Sequence, residues 1–129
     1  MFFKELDIER PILYEGRKFD LRYIVLLKYI DTKNFELYVY NMFWIRLANQ
    51  QYSLDNFEEY EKHFTVMNYS KFNLTQLHYK DFIKSIENQY PGIKWDVVQD
   101  KINKAFKQAF YAASVQDPPL GYVKNSASR

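Results

Sequence analysis

From Phe19 onward, apolar side chains alternate over a length that only an extended strand uses: Phe19, Leu21, Tyr23, Val25 and Leu27 share one face, and Ile24 and Leu26 lie on the other. The spacing predicts a strand from about Phe19 to Ile30, apolar on both sides past Arg22, so both faces are expected to be buried. Residues 31–34, "DTKN", are a polar break, after which Phe35, Leu37, Val39, Phe43, Ile45 and Leu47 recur at period two. The pair reads as an antiparallel hairpin. The other face of the second strand carries Tyr38, Tyr40, Met42, Trp44 and Arg46, an aromatic surface against which something should pack.

Ahead of the hairpin, "ILY" at 12–14 is a short apolar run ended by Glu15-Gly16, where glycine can turn the chain. Behind it, Gln50 to Asn73 loses periodicity and is expected to be rich in loops, with "HFTVM" (63–67) its one candidate strand. Tyr79, Phe82, Ile83, Ile86 and Tyr90 then fall at helical spacing, with Thr75 as a candidate N-cap and Pro91-Gly92 as the stop. A second helix is predicted from Trp95 to Ser114. Its stripe is Val98, Ile102, Ala105, Phe106, Ala109, Phe110 and Ala113, and Pro118-Pro119 forbids its continuation. Strand, strand, loop, helix, helix is an α+β order, without internal repeats.

Composition narrows the function classes. At 129 residues the chain is one domain's worth, and 47% hydrophobic with 26% charged residues is the balance of a soluble globular chain. Eighteen basic against sixteen acidic residues, spread along the chain, do not suggest nucleic acid or an anionic membrane as partner. No cysteine is present, which removes disulfides, thiolate metal sites and cysteine nucleophiles. The N-terminal "MFFKELDIERP" lacks the apolar core of a signal peptide, and no run reaches the ~20 apolar residues of a membrane span. Twelve tyrosines and eleven phenylalanines are more rings than a chain of this size easily covers, a first hint that part of a larger protein lies elsewhere.

Chemistry is concentrated at the start of the hairpin. Lys18, Asp20 and Arg22 alternate and so point to one side of the first strand, and the turn at 31–34 brings Arg46 opposite the neighbourhood of Asp20. One reading is a self-compensating ladder of ion pairs at an exposed sheet end. The other is a polyanion site, with a lysine point charge and arginine forks for phosphate or carboxylate and the aspartate to orient them. His63 reads as a packed or solvated histidine and His78 as an exposed one. With glycine only at 16, 92 and 121, phosphate-loop, dinucleotide and nucleophile-elbow motifs are excluded.

"ERPILYEGRKFDLRYIVLL", "LYVYNMFWIRLANQQYSL" and "YEKHFTVMNYS", in that order, resemble the tubulin-tyrosine ligase-like family over nearly the whole chain. The resemblance implies a partial ATP-grasp domain and an ATP-dependent ligase that activates a carboxylate as an acyl phosphate for attack by an amine. It implies a cytoplasmic, cytoskeleton-associated protein, with the acidic C-terminal tail of tubulin, or another acidic protein, as partner. Cations around a transferring phosphate would then explain the charged strand end. By position, Lys18 and Asp20 match ATP contacts, Arg22 and Arg46 match arginines that hold the carboxylate substrate or the acyl phosphate, Thr65 and Asn68 match a nucleotide-side Thr-Asn pair, and Ile8 matches the aliphatic hinge against adenine. The family's Thr and Asn are adjacent, whereas Val66 and Met67 separate them here. Such a departure leaves open a non-catalytic binding module on the same fold. The family's magnesium carboxylates, in a later Glu-x-Asn run, and its upstream phosphate lysines have no counterpart within these residues. The chain is therefore expected to be a central fragment that exposes aromatic surface, aggregates on expression and turns over nothing by itself.

Overall fold

A computed structural model describes residues 10–29, 34–65 and 77–115. Strand β1 (Phe19–Tyr29) pairs with β2 (Phe35–Leu47) in a two-stranded sheet, followed by a one-turn helix α1 (Tyr60–His63), then α2 (Tyr79–Gln89) and α3 (Trp95–Ser114). The predicted hairpin and both long helices are present. The chain clusters into two units, Met1–Arg22 with Met42–Gln89, and Tyr23–Asn41 with Tyr90–Arg129.

The first unit is built around Phe82, a fully buried side chain of α2. Tyr14 stacks on its ring at 5.6 Å, and Phe19 and Phe43 meet it edge-on at 4.9 and 6.0 Å. Ile86, one turn further along α2, is buried with it, so positions four apart present one apolar stripe, as the periodicity predicts. Pro91-Gly92 follows the last turn of α2, where proline disfavours helical geometry in the residue before it. Gln89 ties this helix to the entering chain: its amide donates to the Leu13 carbonyl (3.1 Å) and its oxygen accepts from the Glu15 backbone (3.4 Å).

Glu15 and Gly16 form the expected turn. Both have positive φ, 47° and 76°, the requirement of a two-residue turn whose twist matches a hairpin, and Tyr14 and Arg17 exchange backbone hydrogen bonds of 2.9 Å across it. Glycine serves a second purpose at position 16, because a Cβ there would lie 2.0 Å from the Gln51 side chain. The Gln51 amide donates to the Glu15 carbonyl, and the Tyr52 N–H donates to that of Gly16 at 2.8 Å. The segment expected to be irregular thus clamps the turn.

The second unit holds the remainder of the hairpin and α3. Tyr23 lies edge-on against Phe106 at 5.6 Å and donates its hydroxyl to the Gln99 side chain at 2.8 Å; Trp95, at the helix start, is buried. Ala105 and Ala109, assigned above to the apolar stripe, are instead exposed. Small side chains at the margin of the stripe are read equally well as either face.

Two expectations need correction. His63 belongs to α1 rather than to a strand, and Phe64 and Thr65, though Phe64 is extended, pair with nothing as a strand; Val66 and Met67 lie outside the described residues, as does the proposed cap Thr75. Nor is the second face of the hairpin buried: Ile24 is 53% and Leu26 61% exposed, and on β2 so are Tyr38, Tyr40 and Trp44. Uncovered aromatic surface is the alternative that the excess of rings raised. Among the described residues, no helix is long and apolar enough to cross a membrane.

Replacing Phe82 with Ala removes the ring that three other aromatics share and should cost about 3–5 kcal/mol in urea unfolding. An unchanged midpoint would mean that the aromatic cluster does not hold the first unit together.

Candidate functional site

Hairpin register creates the site. The Ala48 N–H donates to the Lys18 carbonyl at 2.8 Å, which in an antiparallel pair sets Asp20 directly across from Arg46. Both side chains project to the same face and meet: Arg46 Nε donates to Asp20 Oδ1 at 2.8 Å, and Nη2 donates to Oδ2. This bidentate fork on a carboxylate is the geometry that makes arginine hard to replace by lysine. Thr65 closes the arrangement from the segment after α1, its hydroxyl donating to Asp20 Oδ2. Residues far apart in sequence thus share one carboxylate.

Burial pushes the Asp20 carboxyl up, but hydrogen bonds from Arg46 and Thr65, with the charges of Arg46 and Arg22, outweigh it and hold the group below the ordinary aspartate value. Side-chain exposure of 21% for Arg46 and 35% for Asp20 leaves the pair partly screened by solvent.

Lys18 and Arg22 are placed differently. The Lys18 ammonium lies 4.8 Å from the centre of the Tyr52 ring, a cation–π contact, and Arg22 is exposed. Its influence on Asp20 nevertheless puts Arg22 within electrostatic reach of the same carboxylate. The rim therefore carries Lys18, Arg22 and Arg46 against Asp20, three cations to one carboxylate. An ion-pair ladder accounts for Arg46; it does not account for the exposed guanidinium. Tyr52 is a site residue that sequence reasoning missed, because it lies where no periodicity marks which side chains turn inward.

Ile8 and Asn68, the two remaining site candidates, lie outside the described residues. His63 is packed, as expected: its ring stacks on Phe57 at 5.4 Å, and Nε2 is 2.7 Å from the Asn56 carbonyl oxygen. His78 is exposed, its Nδ1 accepting from the Lys80 backbone. Among the described residues no three His, Cys, Asp or Glu side chains are placed to hold a metal ion. Asp20 is committed to Arg46 and Thr65, so these residues do not fit magnesium. A polar cleft of about 620 Å³ in the first unit is lined by Glu15, Arg17, Asn49, Gln50, Gln51 and Lys62, and includes none of the candidate site residues.

Residues 8–129 match the Tubulin-tyrosine ligase family, to which this chain belongs. It is 43% identical over 95% of its length to Tubulin--tyrosine ligase-like protein 12 of Mus musculus, and 45% identical over 95% to the protein of that name in Caenorhabditis elegans. Over 62% of the chain it is 30% identical to Tubulin glycylase 3E of Tetrahymena thermophila. It spans about one fifth of the length of the first two relatives, 20% and 19%, and 7% of the glycylase. No solved structure matches it.

Because the folded-state value of Asp20 is depressed, its contribution to stability is complete above the unfolded aspartate value of about 3.9 and disappears as pH falls through the lower folded value. Asp20→Asn should therefore cost stability at neutral pH and reduce the loss seen on acidification below about pH 4. Glu36 and Asp55 are also depressed, so the difference between parent and variant, rather than either curve alone, is the readout. A double-mutant cycle of Asp20→Asn with Arg46→Gln should give a coupling of about 1 kcal/mol; zero coupling would dissolve the clamp.

Proposed function

We propose that this chain is a central portion of an ATP-grasp ligase domain whose hairpin rim receives the anionic groups of the reaction: phosphate from ATP and the carboxylate of an acidic tubulin tail. One observation carries the reading. The Asp20 carboxylate holds Arg46 in place while Arg22, beside it, keeps an exposed guanidinium, so the rim has spare positive charge on a rigid support. Arg22 and Arg46 are the residues proposed to grip substrate carboxylate. Lys18, Asp20 and Thr65, with Ile8 and Asn68, are proposed on the nucleotide side, Asp20 acting by orienting Arg46. When bound, ATP would supply phosphoryl activation of the carboxylate. Family membership supports the reaction class, and the relatives' names, a tubulin-tyrosine ligase-like protein and a tubulin glycylase, support tubulin as the acceptor.

A second reading keeps the rim but removes the chemistry: a module that binds acidic tails without ligating anything. Commitment of Asp20 to Arg46 and Thr65, and the lack of a metal-binding cluster among the described residues, favour it for residues 1–129 in isolation. Ligation that uses magnesium requires carboxylates other than those described.

Calorimetric titration of the longer parent protein that this reading implies, with magnesium-ATP and, separately, with an acidic tail peptide, separates the readings. On the ligase reading both bind, and Arg22→Gln weakens the peptide about tenfold, the loss of one charge-assisted contact. Peptide binding without nucleotide leaves the module. If neither ligand binds, or if Arg22→Gln changes nothing, the rim is a salt-bridge ladder and both readings fail. Residues 1–129 alone should transfer no labelled amino acid to tubulin; transfer would show that they hold the complete machinery.

A further inference from the structure

The second unit has a cleft of its own. Phe35, at the start of β2, and Tyr111, on α3, form its aromatic walls, and Lys104, Lys107 and Gln108 from α3 complete a lining of about 310 Å³. These α3 positions are three, four and seven apart, so successive turns of one helix face supply them. Tyr111 is 63% exposed although its ring borders an apolar hollow. Lys104 forms an ion pair with Asp100 at 2.7 Å, whereas Lys107 has no carboxylate partner among the described residues. An aromatic hollow with a surplus ammonium at its edge is under-used by the fold itself.

We propose that this cleft docks a short acidic peptide through one apolar side chain: the side chain enters between Phe35 and Tyr111, and carboxylates flanking it pair with Lys107 and compete with Asp100 for Lys104. The volume is at the low end of the ~300–1,000 Å³ of ligand pockets, room for one large side chain rather than a cofactor. Charge selects the partner. A basic or neutral peptide would leave Lys107 unpaired, whereas a carboxylate beside the anchor satisfies it, steers approach and makes binding sensitive to salt. None of the rim residues contributes. The proposal rests on the reading of an acidic tail as partner and deepens it by adding a docking point built from other residues than the rim, and it stands or falls separately from nucleotide binding.

Fluorescence anisotropy of a short labelled polyglutamate peptide with one central phenylalanine tests it. Binding should weaken as salt rises, and replacing the phenylalanine with alanine should weaken it several-fold. Lys107→Glu should reduce affinity by about tenfold or more, and Tyr111→Ala should abolish the preference for phenylalanine. Lys84→Glu, a matched charge reversal on the exposed side of α2, should change little. Circular dichroism of each variant verifies that the helices persist, and Lys107→Gln provides a milder change should the reversal disturb α3. Equal loss in the Lys84 and Lys107 variants, indifference to the phenylalanine, or loss only in Arg22→Gln would overturn the docking site. Failure of magnesium-ATP to bind would count against the ligase reading without touching this one.

Discussion

Hairpin register is the constraint on which the site depends. Side chains alternate strictly along a strand, so a slip of one residue between β1 and β2 would send Arg46 to the opposite face from Asp20 and put apolar side chains where the cations now stand. Three features hold the register at the open end of the hairpin: the Ala48–Lys18 backbone bond, the Arg46 fork on Asp20, and the turn at Glu15-Gly16 locked by Gln51 and Tyr52. The last depends on glycine, because the positive φ strains any other residue there and a Cβ would displace the Gln51 amide from its bond to the turn. A backbone requirement at position 16 therefore helps set the electrostatics at position 20.

The two sides of the hairpin divide the labour. Within the first unit Phe19 and Phe43 pack on Phe82 while Trp44 stays open, and within the second Tyr23 packs on Phe106 while Ile24, Leu26, Tyr38 and Tyr40 stay open. An isolated two-stranded ribbon is marginal in water, so helix packing on the covered side is what makes it a support stiff enough to hold charged groups. Near neutral pH the ionised Asp20 carboxylate bonds Arg46 and attracts Arg22, which offsets repulsion between the two guanidinium groups.

Local pattern made most of this legible. Period two announced both strands, period 3.6 announced α2 and α3, and proline and glycine marked their ends, because each signal acts over a few residues of contiguous chain. The meeting of Asp20 with Arg46 was legible too, since a short turn between two strands leaves few registers. Thr65 gained a role only through family resemblance, its place beside His63 and Asn68 being a weak signal, and Tyr52 did not enter at all: both lie in the aperiodic segment, where a side chain's direction depends on how the loop folds back on the hairpin. "HFTVM" misled for a related reason, its β-branched and aromatic composition being outvoted by the helical turn of Tyr60–His63.

By itself, then, the amino-acid order determined the hairpin, α2 and α3, the α+β class, the residues that share a strand face and the family. Tertiary structure decided which of those faces found cover, that Asp20 is spent on Arg46 and Thr65 while Arg22 remains exposed, and that Lys18 lies over an aromatic ring. The division has a physical cause. Periodicity records only that a face is apolar or charged, whereas burial and ion pairing are properties of whatever packs against it, and that neighbour is set by contacts between residues distant along the chain.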